Sequence, residues 1–244
     1  MLNLSVIPLD GVINARDLGG IPTRDGHVIR QGMFLRTGGT YELTSKGLEL
    51  LCSMGLRLSV DLRSLDEIAA NPSQLQNVPG IRYEIVPLFD QFVAAGITNS
   101  FSFTLPELYR HMLTLCGTEF VRMFRLFAQE KGLCQFNCTA GKDRTGVTTM
   151  LLLNLVNVAD DIIIEDYVFS ESQVSSVVSL QKAQLGDREV DVPDTLLHAY
   201  PETMRQTLDF LREKWGSAYE YLTAFGMTED EISALRRKLI ADKA

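Results

Sequence analysis

Missing from this 244-residue chain is any run of about eighteen apolar residues, so no helix is expected to cross a membrane. The first twenty residues also lack a basic segment ahead of an unbroken apolar run, with Asp10 interrupting what there is, and no secretory signal is read there. A cytoplasmic protein is expected; export by a route that needs no conventional signal stays open. Basic residues are outnumbered, 23 Lys and Arg against 31 Asp and Glu, which leaves a net charge of -8 and an isoelectric point near 5.0. A surface of that sign repels nucleic acid and anionic lipid, so neither nucleic acid nor stable membrane insertion is expected, and any recognition of phosphate must be local.

Cysteine is scarce, and Cys52, Cys116, Cys134 and Cys138 show none of the short paired spacings of a zinc site. If Cys134 and Cys138 share a strand they lie about 13 Å apart at about 3.3 Å per residue, beyond disulfide reach. A reduced protein is expected, with Cys52 or Cys116 as a redox partner of Cys138 only if folding brings one near. His27, His111 and His198 each stand without a Cys, Asp or Glu constellation, so neither a metal nor a cofactor is expected.

What is present is an apolar fraction of 45%, enough for one large domain with a sizeable core, and one stretch that carries chemistry. Leu133 to Phe136 are mostly apolar, Asn137-Cys138-Thr139-Ala140-Gly141-Lys142-Asp143-Arg144-Thr145-Gly146 follow, and Val147 to Val158 read VTTMLLLNLVNV, the composition of a buried element. That is strand, tight loop, helix. A loop feeding a helix N-terminus turns successive backbone N–H groups on a bound anion, and the helix dipole adds favourable potential. Thr139, Ala140, Gly141, Lys142, Thr145 and Gly146 are therefore candidate phosphate-binding positions. Cys138, beside Lys142 and Arg144, sits where an anionic thiolate is favoured, which makes it a candidate nucleophile. Arg144 offers a planar fork that matches two phosphate oxygens, the Thr145 hydroxyl is placed to hydrogen-bond the sulfur, and Lys142 could reach an additional phosphate. A nucleotide-binding P-loop is excluded, because it needs Gly and Ser or Thr where Phe136 and Asp143 stand. The bland alternative, Cys138 as a small buried hydrophobe, is disfavoured by an arginine at this spacing and two flanking glycines.

Cys-x5-Arg followed by Thr-Gly resembles the protein tyrosine phosphatase superfamily, and the string CTAGKDRTG is narrower still. Together with Asn14-Ala15-Arg16-Asp17-Leu18-Gly19-Gly20, Val60-Asp61-Leu62-Arg63-Ser64 and the pattern from Tyr221 to Ile232, it is similar to bacterial tyrosine phosphatases that also accept phosphoinositides. The resemblance implies an α/β fold with a central, mostly parallel sheet flanked by helices, and a single domain over residues 1–244 in which helices within about 160–225 form a lid. It implies hydrolysis of a phosphomonoester through a phosphocysteine intermediate, without a metal, on a phosphotyrosine protein or a phosphoinositide. Cys138 would be the nucleophile, Arg144 the binder of the equatorial oxygens, and Asp143 the general acid, with Asp61 and Asp90 as alternatives. One position departs from the pattern: members usually carry His before the nucleophile, and this chain has Asn137. Its amide can still hydrogen-bond the loop backbone, but a non-catalytic phosphate-binding module stays open on that account.

The rest of the chain reads as scaffold. An extended lead-in precedes the loop at Asn14–Gly20, whose Arg16 and Asp17 are structural ion partners or wall residues. Asp25-Gly26 marks a turn, Thr44 caps a helix with Leu48, Leu51 and Cys52 on its buried stripe and Gly55 as its stop, and Leu56 to Arg63 alternate as a strand. Asp61 and Arg63 share one face of it, as an ion pair or as positioning groups. Ser64 and Glu67 form a capping box closed by Asn71-Pro72, Ile81 to Val86 is a strand, and 88–104 a mobile flap. Two helices broken near Gly117 fill Pro106 to Lys131. A helix from Asp160 to about Gln184, a linker over Gly186–Pro193 and three helices from Pro201 onward complete the reading, the last capped by Thr228 and Glu231.

Overall fold

Six strands, β1 (Ser5–Val6), β2 (Arg16–Asp17), β3 (Phe34–Thr37), β4 (Leu56–Asp61), β5 (Arg82–Ile85) and β6 (Leu133–Asn137), form one sheet in the order β1-β2-β3-β6-β4-β5. The computed structural model describes residues 4–97, 103–185 and 198–240, the side chains of 175–185 excepted. β3, β6, β4 and β5 run parallel, and β2 and β1 close one edge in antiparallel fashion. The mostly parallel α/β sheet flanked by helices is the fold expected. β6 lies between β3 and β4, and all of its residues are buried, as a strand covered on both faces requires. Thr37 and Asp61 both stand in register with Asn137, so the segments leaving β3, β4 and β6 emerge side by side at the carboxyl ends of the strands, where open α/β sheets bind ligands.

The helices are α1 (Ser45–Ser53), α2 (Leu65–Ala70), α3 (Asp90–Ala94), α4 (Leu105–Leu115), α5 (Gly117–Gln129), α6 (Asp143–Leu155), α7 (Asp160–Leu185), α8 (Pro201–Trp215), α9 (Ala218–Ala224) and α10 (Glu229–Leu239). Their starts follow local chemistry: Thr44 accepts from Gly47 N, and Ser64/Glu67, Thr104/Glu107 and Thr228/Glu231 close reciprocal capping boxes. α6 is buried all round, from Arg144 to Leu153 and at Leu155, which explains a sequence without an apolar stripe. Around it Phe34, Phe124, Phe127, Phe136, Tyr221 and Leu235 belong to the larger core, while Leu9, Leu35, Leu51, Leu56 and Leu133 make a smaller one under α1. Arg30 N donates to Leu239 O at 2.7 Å and Ile29 bridges Ile240, tying the end of α10 to the segment that precedes β3.

Two local readings change. Cys52 is exposed, because α1 buries only the narrow line of Gly47 and Leu51. Ser59 and Asp61 of β4 are buried, since β4 is an interior strand whose polar side chains bond one another. The segment read as a flap contains α3, with Phe92 in the core; its 98–102 portion, like the Gly186–Pro193 linker, lies outside the described residues. Among the described residues no helix is long and apolar enough to cross a membrane.

Candidate active site

Between the end of β6 and the start of α6 the chain has Cys138 to Lys142 in which to turn. Gly141 makes this possible: its φ is 69°, and a Cβ there would lie 2.5 Å from Thr37 O, so no other residue fits. The carbonyls of the loop are drawn back toward the sheet. Thr139 O accepts from Gly39 N (2.9 Å), Ala140 O from Asn14 Nδ2 (3.1 Å), and Gly141 O from both Asn14 Nδ2 (2.9 Å) and Arg36 Nη2 (2.7 Å). In a trans peptide the N–H points opposite to the C=O, so the amides of Ala140, Gly141 and Lys142 are turned to the other side of the loop, the arrangement of an anion nest. Cys138, 2% exposed, stands at its beginning, and the first turn of α6 closes it.

Arg144 projects from that first turn and is 6% exposed. The end of its fork is taken by Glu67, with Nη1–Oε2 at 2.5 Å and Nη2–Oε1 at 2.9 Å, and the Phe89 ring lies 4.2 Å from the guanidinium carbon. Burial works against the Glu67 carboxylate, but Arg144 first, then Thr139 and the Ser64 amide, outweigh it and hold its pKa down to about 2. Arg144 Nε and Thr145 Oγ1 are buried without a hydrogen-bond partner, which for a charged donor is costly unless an anion completes it. The Thr145 hydroxyl, expected from the sequence to hydrogen-bond the cysteine sulfur, makes no such bond in this structure.

Asp143 opens α6, and its carboxylate accepts from Tyr109 OH (2.5 Å) and lies 3.6 Å from Lys142 Nζ while keeping a quarter of the side chain exposed. Burial, and after it the Asp143 charge, raise the Tyr109 phenol well above its ordinary value, so it stays a proton donor to that carboxylate. Lys142 is 1% exposed and donates to His198 O at 2.9 Å, directed away from solvent. Asp61 is fully buried and saturated by Arg63 Nη2 (2.7 Å), Tyr83 OH (2.8 Å) and Asn137 Nδ2 (3.2 Å), the environment of a structural ion pair and not of an acid that meets substrate. Asp90 sits beside Phe89 and accepts from Leu65 N at 3.3 Å. Asn137 donates to Asp61 and, at 3.4 Å, to Cys138 O, the bond to loop backbone that an amide was expected to keep. Of the motif near the N-terminus, Arg16 pairs with Asp166 (2.7 Å) beneath the loop, and Asp17 instead accepts from Gly19 N and Gly32 N.

Glu67, Arg36, Asp166, Tyr109 and Phe89 were not read as site residues. Glu67 carried a local signal, the capping box, which hides its second role. Arg36 and Asp166 carry none, for their contact joins residues 130 apart in sequence.

A strand–loop–helix nest holding a buried cysteine and arginine at the carboxyl edge of a mostly parallel sheet defines a phosphate-handling α/β protein. The model of the tyrosine phosphatase family matches residues 7–241, and the chain belongs to that family as an enzyme. It is 31% identical over 218 residues to the tyrosine-protein phosphatase of Nostoc commune, covering 84% of this chain and 74% of that one. It is 25% identical over 289 aligned positions to the triple specificity protein phosphatase PtpB of Mycobacterium tuberculosis, covering 97% and 100%. Among solved structures, TpbA of P. aeruginosa superposes with a TM-score of 0.44 at 13% identity, over 91% of this chain and 95% of that one, a looser likeness on which the assignment does not rest.

Proposed function

We propose that the protein hydrolyses phosphotyrosine in proteins through a phosphocysteine intermediate. The observation that carries this reading is the loop itself: its carbonyls are pulled toward Gly39, Asn14 and Arg36 while the buried Nε of Arg144 is left without a partner beside the Cys138 loop. A phosphate dianion seated there accepts from the loop amides and from the side edge of the Arg144 fork, whose end is already fixed by Glu67. Cys138 attacks phosphorus in line, and the leaving oxygen departs. Asp143, oriented through one carboxylate oxygen by Tyr109, gives that oxygen its proton and later takes one from the hydrolytic water. Asp90 is the alternative acid; Asp61 is committed to Arg63.

Phosphoinositides are the second substrate class. The relative named a triple specificity phosphatase favours a wide range, but Lys142, the side chain that would reach an additional ring phosphate, is tied to His198 O. We therefore place the peptide ahead of the lipid. Phosphate release from a phosphotyrosine peptide and from phosphoinositide vesicles, with wild type and Cys138→Ser, tests this. Cysteine-dependent release from the peptide is expected; release from vesicles at a comparable rate would reverse the preference, and none from either would leave a binding module.

A further inference from the structure

Beneath the loop lies a buried cluster with more positive than negative charge. Arg16 and Arg36 are both wholly buried, and among the described residues Asp166 of α7 is the carboxylate that contacts either. Its Oδ1 takes Arg16 Nε at 2.7 Å and its Oδ2 takes Arg36 Nη1. Ser170 Oγ, at 3.1 Å from Arg16 Nη2 and 3.4 Å from Arg36 Nη2, adds a neutral acceptor. One carboxylate balances one guanidinium. Burying a second cation that nothing neutralises is strongly unfavourable in a protein interior, and a core built for stability alone would need only the Arg16–Asp166 pair.

The second cation is directed at the loop. Arg36 Nη2 donates to Gly141 O at 2.7 Å, at the residue whose positive φ sets the turn. Burial and then Arg16 lower the Arg36 pKa to about 10, and the charges of Asp166 and Cys138 work the other way. Asn137, the residue before the nucleophile, contributes no charge, its amide being given to Asp61 and the loop backbone.

We propose that Arg36 is a positioning residue of this active site, a buried cation that holds Gly141 O so that the loop amides face the phosphate, and whose uncompensated charge is balanced by the Cys138 thiolate and the bound dianion. It does not touch substrate. The inference rests on the phosphatase reading above and adds to it the source of positive potential behind the loop.

The test compares wild type with Arg36→Met, which removes the charge at similar volume and leaves Arg16 and Asp166 matched, and with Arg36→Lys, which keeps the charge but cannot span Asp166 and Gly141 together. Folded fraction, kcat and KM on p-nitrophenyl phosphate, inhibition by inorganic phosphate, and alkylation of the Cys138 peptide by iodoacetamide at pH 7 are measured for each. In folded Arg36→Met, kcat and the alkylation rate are expected to fall about tenfold or more, with phosphate inhibition weakened by a similar factor. In Arg36→Lys, alkylation should stay within about threefold of wild type while phosphate inhibition weakens about fivefold or more. A merely structural arginine would lower only the folded fraction, so kcat and alkylation within about twofold of wild type in folded Arg36→Met overturns the proposal. Should that variant not fold, unchanged phosphate inhibition in Arg36→Lys overturns it instead. Loss of the phosphatase reading is distinguishable, because wild type would then release no phosphate or Cys138→Ser would release as much.

Discussion

At the residue scale the site depends on carboxylates whose neighbours decide what each can do. Asp143 keeps part of its surface and one oxygen clear of Tyr109, so it can meet a leaving group. Asp143→Asn is expected to lower kcat about 10²-fold on phosphotyrosine and much less on p-nitrophenyl phosphate, whose leaving group departs without a proton. Equal losses on both substrates would remove Asp143 from the acid role and turn attention to Asp90. Glu67 does a different job, holding the end of the Arg144 fork. Its folded pKa of about 2 lies below that of the free carboxyl, so its contribution is present in full above about pH 4.5 and is lost as the pH falls toward 2. Glu67→Gln should therefore cost about 2 kcal/mol at neutral pH, allowing for the partial exposure of the carboxylate, and the difference from wild type should shrink on acidification in urea titrations run between pH 7 and 3. A difference that does not change with pH would mean that Glu67 contributes no ionic stabilisation.

At the scale of elements, the loop and β4 illustrate two ways of fixing a backbone. The loop has no regular pairing and is held by Asn14, Arg36 and Gly39 on its carbonyls, with Gly141 making a left-handed turn so close to Thr37 O that a Cβ does not fit. Gly141→Ala should abolish phosphate inhibition and turnover while circular dichroism stays native, because the clash with Thr37 O is confined to the loop. Binding of phosphate by folded Gly141→Ala would show that the turn tolerates a Cβ. β4, by contrast, carries its charge inside the sheet, where Asp61, Arg63, Tyr83 and Asn137 satisfy one another. Asp61→Asn leaves Arg63 buried without its carboxylate and is expected to destabilise by about 3 kcal/mol or more, with residual activity following the folded fraction in parallel melting and turnover measurements. Turnover falling much faster than folding would mean that Asp61 has a chemical role as well.

At the scale of the whole molecule, the C-terminal helix closes the core and is not an appendage. α10 buries Ile232, Leu235 and Leu239 and packs on α5, Arg125 of α5 bonds Glu231, and Lys238 Nζ reaches the carbonyls of Glu130 and Gly132 just before β6. Burying side chains of that size contributes about 2 kcal/mol each, a large part of a typical folding free energy. A chain ending at Gly226 should therefore melt at least about 10 °C lower or be insoluble, and lose turnover with its fold. Full activity and an unchanged melting temperature in the shortened chain would show that the sheet and α6 hold the site without it.

Whatever depends on neighbours along the chain was legible in the amino-acid sequence. The strand–loop–helix around Cys138 and Arg144, the capping boxes at Ser64 and Thr228, the stop at Gly55 and the buried α6 could be read because spacing, φ preference and periodicity act over a few residues. Which charges meet depends instead on how distant segments pack together. Glu67 looked like a helix cap and also holds Arg144, 77 residues away; Asp61 looked like an alternative acid and is enclosed in the sheet; and Arg36 and Asp166 carried no motif at all. Electrostatic partnership in a core is fixed by which strands become neighbours, and the order β3-β6-β4 is set by packing of the sheet as a whole, which no short stretch of sequence contains.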